Sequence, residues 1–233
     1  MFKKFAILLG LTASLALAGT ITYTTPVGAK DASNDLISAS ATVVTGNGTI
    51  TVTLTNSLGN IKNAGELLSD FLFTLSITPG TALNTMVTPT GSLIDVTQAG
   101  NGTASAGTPT AWQVTSSGAT IHIDSLFDGP AQTIIGPGPF SNPNNSITGN
   151  HNPFINQTAV FSFNVSGVTS DTRVTAATFS FGTDAGDNVP GTPGTDCTGD
   201  CGTTTQATPE PFSFFMVGGG LVCAGVLTKL RRA

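Results

Sequence analysis

Apolar and small polar residues alternate with period two along much of the middle of the chain. "ISASATVV" (37–44) and "TITVTLTN" (49–56) are the clearest cases, and Gly46, Asn47 and Gly48 lie between them, so the pair predicts a β-hairpin. The same reading predicts strands at "FLFTLSI" (71–77), "WQVT" (112–115), "ATIHID" (119–124), "QTIIG" (132–136), "TAVFSFNV" (158–165) and "VTAATFSF" (174–181). Gly, Pro, Asn and Ser separate these runs, and no segment of helical period rivals them in length; "AGELLSD" (64–70) predicts a short helical turn. The expected fold is all-β, a single antiparallel β-sandwich over residues 19–181, with jelly-roll and immunoglobulin-like topologies both open.

Within that frame Phe161, Phe163, Val165, Phe179 and Phe181 stand at i, i+2 spacing and are expected to point to one face and form much of the core. Trp112, the single tryptophan, has two readings: a ring that stacks on a sugar, or a core or rim residue, which is the commoner role. The Gly-, Pro- and Asn-rich stretches 97–110 and 136–157 read as long loops, either functional or mobile. Residues 182–208 lack large apolar side chains and read as a Gly/Pro/Thr/Asp-rich linker.

The two ends break the pattern. Lys3 and Lys4 precede an apolar run from Phe5 to about Leu17, closed by Ala16-Leu17-Ala18; a basic region, a short apolar region and an A-x-A site predict a signal peptide over 1–18, cleaved after Ala18. At the other end Phe212 to Thr228 would reach roughly 25 Å as a helix, enough to cross a hydrocarbon core. Lys229, Arg231 and Arg232 follow as a basic stop-transfer cluster, which holds that end cytoplasmic and leaves the preceding domain outside. Pro209 and Pro211 flank Glu210 and keep the approach to the membrane extended and open to proteases.

Pro209-Glu210-Pro211, one short span and a terminal basic cluster, in this order over about 26 residues, resemble the PEP-CTERM sorting signal of bacterial surface proteins, the substrates of exosortase. The basic cluster is short, ends in Ala233, and the glycines sit early in the span, which departs slightly from the pattern. The resemblance implies that 209–233 is a recognition tag, cut near Pro209 to Pro211, and that the released protein joins the cell envelope or an extracellular polysaccharide matrix. Exosortase and the export machinery are the implied partners, with the membrane holding the C-terminal helix before processing. A plain uncut anchor would share the same physical features.

Charge agrees with export of the middle segment and excludes one class of partner. Between residues 19 and 208 only Lys30, Lys62 and Arg173 are basic, against twelve Asp and Glu, so the segment carries a net −9 and has no electrostatic footprint for nucleic acid. Cys197 and Cys201 would meet an oxidising compartment and are expected to pair as a small-loop disulfide rather than stay as free thiols; Cys223, in the apolar run, reads as a small hydrophobe.

Candidate chemistry is thin. Asp184, Asp187, Asp196 and Asp200 offer oxygen ligands for calcium, but their spacing does not match an EF-hand loop, and the expectation is a solvated acidic linker without a cofactor or metal. His122 and Asp124 fall on one face of one strand with Ser125 after them, the raw material of a hydrolase; no Gly-x-Ser-x-Gly elbow accompanies them. His151 lies in a loop, and Glu66 is the lone Glu before the tail, so no carboxylate pair suits glycoside hydrolysis. The expected function is therefore an exported, exosortase-processed surface or matrix protein with a structural or adhesive, non-catalytic domain. A module binding exopolysaccharide through Trp112 and the loops is the alternative, and a secreted hydrolase using His122 and Asp124 the second.

Overall fold

The computed structural model describes residues 19–127, 132–149, 151–183 and 187–194. Their structure is mostly β, as the period-two pattern predicts. The eight expected strands are all present: β2 (Ala39–Gly46), β3 (Thr49–Asn56), β4 (Leu68–Leu75), β8 (Trp112–Ser117), β9 (Thr120–Asp124), β10 (Ile134–Ile135), β12 (Thr158–Asn164) and β13 (Val174–Phe181). β2 and β3 form the expected hairpin, with Gly46 opposite Thr49 and Gly48 supplying the positive φ of the turn at 74°.

Seven further strands are present, most of them short. They are β1 (Gly19–Thr24), β5 (Asn84–Val87), β6 (Leu93–Val96), β7 (Gly102–Ser105), β11 (Phe154–Asn156), β14 (Asp187–Pro190) and β15 (Thr192–Pro193). Two sheets result. The smaller runs β12-β3-β2-β1-β15; the larger runs β5-β8-β9-β4-β10-β11-β6-β7, with β13 also on β4 and β14 on β13. β10 and β11 are parallel, so the larger sheet is mixed, against the expectation of purely antiparallel pairing.

Three other expectations change. Helical geometry in 64–70 is confined to Ala64–Glu66, and Leu68 to Asp70 join β4, in which Ser69, Phe71, Phe73 and Leu75 alternate into the interior. The stretch 97–110 holds β7, and 136–157 holds a helical turn, α1 (Asn145–Thr148), together with β11 and the cis peptides Gly138–Pro139 and Asn152–Pro153. Strand structure also continues past Phe181 into the expected linker, where β14 pairs with β13 and β15 with β1. Both are edge strands, where Pro190 and Pro193 cost no ladder hydrogen bond, so a composition that reads as linker is compatible with a strand.

One buried cluster draws from both sheets: Tyr23, Val43, Ile50, Val52, Leu54 and Phe161 from the smaller, Phe71, Phe73, Trp112, Ile121, Phe179 and Phe181 from the larger, among others. Phe163 and Val165 also belong to it, as their spacing predicts. A second cluster, including Ile61, Leu67, Phe140, Ile147 and Phe154, anchors the 136–157 connection. No helix among the described residues is long and apolar enough to cross a membrane. The segments expected to be the signal peptide and the sorting tail lie outside the described residues.

Candidate functional site

The larger sheet's outer face is set by register. β4 and β9 run antiparallel with Asp70 opposite Asp124 and Leu72 opposite His122. Since Ile121 and Ile123 fill the core, Thr120, His122 and Asp124 turn outward, as do Asp70, Leu72 and Thr74 from β4. Asp70, His122 and Asp124 are thereby brought together, with one ligating atom of each within 4.8 Å of the others.

Local hydrogen bonds fix the group. His122 Nε2 lies 2.5 Å from Asp70 Oδ2, with the His side chain 33% exposed and the Asp side chain 16%. Asp124 Oδ1 accepts from the Leu126 amide at 2.6 Å, which orients its carboxylate. Asp70 Oδ1 is buried with no hydrogen-bond partner. Its cross-strand neighbour on β13, Ser180, cannot help, because the Ser180 hydroxyl donates to Asn188 Oδ1 at 2.6 Å.

Burial raises the Asp70 carboxyl above the ordinary range; the hydrogen bond and charge of His122 pull it back, and the charge of Asp124 adds to the rise. His122 is raised as well, first by its hydrogen bond to Asp70 against the opposing effect of burial, with the charges of Asp70 and Asp124 adding. Both groups hold a proton more tightly folded than unfolded. The stability each contributes is fully present below its unfolded pKa and is lost as pH rises through the raised folded value. For His122 that loss begins near the unfolded value of about 6.5 and extends above it. The urea midpoint of chelator-treated protein should therefore fall from pH 6 to pH 9, and the fall should flatten in His122→Asn. A midpoint that stayed level or rose would refute this linkage.

The other expected site residues fare differently. Trp112 is fully buried: its ring centroid is 5.0 Å from that of Phe161, and its indole N–H donates to the Gln132 carbonyl at 3.1 Å. A ring so placed offers no face to a sugar, so of the two readings of Trp112 the commoner, a core role, holds, and the alternative of a polysaccharide contact is corrected. Ser125 is 2% exposed and its hydroxyl donates to the Ser69 carbonyl at 2.7 Å, so it cannot serve as a nucleophile for His122. Glu66 is buried and its Oε2 accepts from the amides of Lys62 and Asn63, closing a capping box around Ala64–Glu66. His151 sits in the turn before β11, apart from the cluster. A groove between β5 and β12, lined by Leu83, Met86, Ser162 and Phe163 among others, has no titratable side chain in its wall.

Asp187 contributes its backbone to β14, opposite Phe181. The remaining candidates lie outside the described residues: Ala16, Ala18, Asp184, Asp196, Cys197, Asp200, Cys201, Pro209, Glu210, Pro211, Lys229, Arg231 and Arg232. Asp70 is the member that sequence reasoning missed. It stands one residue before the run read as a strand, at the outward phase of its alternation, but nothing local says that β9 pairs beside it. Comparison of the chain with family models, with curated proteins and with solved structures finds no match.

Proposed function

We propose that this chain is an exported, exosortase-processed surface or matrix protein whose β-sandwich domain has a structural, adhesive and non-catalytic role against a neutral polysaccharide. The terminal segments argue for the address, and the core shared by the two sheets argues for the sandwich. One observation carries the adhesive reading: the outer face of the smaller sheet is an uncharged, regular array of hydroxyl groups.

Register builds this array row by row. Thr22, Thr42, Thr53 and Val160 stand side by side across β1, β2, β3 and β12; Thr24, Ser40, Thr55 and Thr158 form the next row, and Thr20, Val44, Thr51 and Ser162 a third. Cross-strand hydroxyl pairs fix neighbours at 3.0 Å for Thr22–Thr42 and 3.1 Å for both Thr51–Ser162 and Thr55–Thr158. Rows of this kind repeat about 4.8 Å across the strands and about 6.8 Å along them. Each threonine offers a hydroxyl that donates and accepts and a methyl that packs, the two kinds of contact a sugar ring requires. Single contacts are weak, and many copies on one polymer would raise the net strength.

Recovered from its host, the protein should have an intact mass running from Gly19 to near Pro211, and it should bind the host's extracellular polysaccharide with little dependence on salt. Thr42→Lys with Thr53→Glu, two partly buried positions that face each other on central strands so that the new charges are of opposite sign, should weaken that binding at least tenfold with little change in melting temperature. Unchanged binding by this pair would remove the adhesive reading, and a mass extending to Ala233 would remove the processing.

A further inference from the structure

Asp70 and Asp124 face each other directly across β4 and β9, an arrangement that is destabilising for like charges on neighbouring strands unless a cation lies between them. We propose that Asp70, His122 and Asp124 form a binding site for a divalent transition-metal ion of the zinc class, on the outer face of the larger sheet and separate from the hydroxyl face.

The donor set selects the class of ion. One imidazole nitrogen with two carboxylates suits zinc and its neighbours, whereas calcium prefers oxygen ligands alone, six to eight of them. Geometry supplies the rest. The ligating atoms already lie within 4.8 Å of one another on two strands that hydrogen bonding and core burial hold in fixed register. In a tetrahedral site with metal–ligand bonds of about 2.0–2.1 Å, ligand atoms stand roughly 3.3 Å apart, so side-chain rotations suffice and the backbone need not move. The 2.5 Å contact between His122 Nε2 and Asp70 Oδ2 is what two groups sharing a proton would make, and the metal ion takes that proton's place.

Two details favour a built site over a chance meeting of charges. Asp70 Oδ1 is buried without a donor, because Ser180 is engaged by Asn188, so this carboxylate is desolvated without full compensation in the metal-free protein. The Leu126 amide holds Asp124 through Oδ1, which leaves Oδ2 for the ion and fixes the carboxylate in the way outer partners orient metal ligands. His122, one-third exposed, marks the route of entry and leaves a coordination position facing solvent.

The test uses the full chain purified in mild detergent and stripped with chelator. Zinc should shift the imidazole resonances of His122 while leaving those of His151 in place, and should raise the melting temperature by on the order of 5 °C at a hundredfold excess over Kd. Cobalt should give a visible d–d absorption that zinc abolishes, and calcium at the same concentration should leave His122 unmoved. His122→Gln and Asp124→Asn should each weaken zinc binding tenfold or more with an unchanged circular dichroism spectrum. Zinc that leaves the His122 resonances still, or moves only those of His151, overturns the site. Calcium binding as tight as zinc overturns the class of ion. The resonance measurement needs no variant, so it decides even if a substitution prevents folding.

Discussion

Replacing Trp112 with Ala should cost about 3–5 kcal/mol of folding stability, the range for deleting a fully buried large aromatic side chain. Three separate losses make up that figure. The ring leaves a cavity in a core drawn from both sheets, since Trp112 stands on β8 of the larger sheet and Phe161, its partner at 5.0 Å, on β12 of the smaller. The tilted aromatic pair disappears, worth about 0.5–1.5 kcal/mol beyond buried area. The Gln132 carbonyl loses the indole N–H that it accepts. Domains of this size have a net stability of about 5–15 kcal/mol, so the variant should unfold at a much lower denaturant concentration. Trp112→Phe should recover part of the loss, by restoring a ring without the hydrogen bond. Chemical denaturation followed by circular dichroism checks both. A loss under about 1 kcal/mol would mean that Trp112 does not carry the core. Below its melting point Trp112→Ala should still bind polysaccharide through the hydroxyl face, which separates the core role from sugar contact.

Asn56→Ala should cost about 3–4 kcal/mol, unusually much for a residue that touches no ligand. Asn56 is fully buried at the end of β3, and every polar group of its side chain is engaged. Its amide nitrogen donates to the carbonyls of Glu66 at 2.9 Å and Ile134 at 3.0 Å, and its oxygen accepts from the Leu58 amide at 3.1 Å. One side chain thus ties the smaller sheet to β10 and to the capped turn before β4. Truncation removes a donor from each of two carbonyls and the acceptor of one N–H, groups that cost about 1–3 kcal/mol each when left wholly unpaired. Asn56→Asp should be at least as damaging: it keeps the acceptor for Leu58 and sets a carboxylate against two carbonyl oxygens. Urea unfolding gives the magnitude, and faster hydrogen exchange at Leu58 would locate the lost contact. Exchange at Leu58 as slow as in the natural chain would contradict the bracing role.

The contrast between these two residues shows what was legible beforehand. Strands such as β2, β3 and β12 were readable because seven or eight residues alternate in burial, and their own sequence records that alternation. β5, β7 and β15 were not: their residues are exposed or only partly buried, so hydrogen bonding to a neighbour makes them strands and no hydrophobic period marks them. The parallel pair β10 and β11 depends on contacts 21 residues apart along the chain, as the pairing of Ile135 with Asn156 illustrates. The same limit applies to the candidate site. His122 and Asp124 were legible as one face of one strand, but Asp70 and Asn56 acquire their roles only from register with distant segments. Trp112 was legible as large and apolar; its depth beneath Phe161 was not.

The first described strand of the chain lies beside the last, with Tyr23 opposite Pro193 and Thr24 opposite Thr192. The chain is synthesised from its first residue onward, so the seam between β1 and β15, the first and last described strands, can close only after β15 has been made. Until then β1 has β2 on one side and open hydrogen-bonding groups on the other, a temporary edge to which any extended chain nearby could attach. Pro193 then covers part of this edge with a residue that has no N–H to offer the next chain. Synthesis, more than the finished protein, is thus the moment at which this domain is exposed to mispairing.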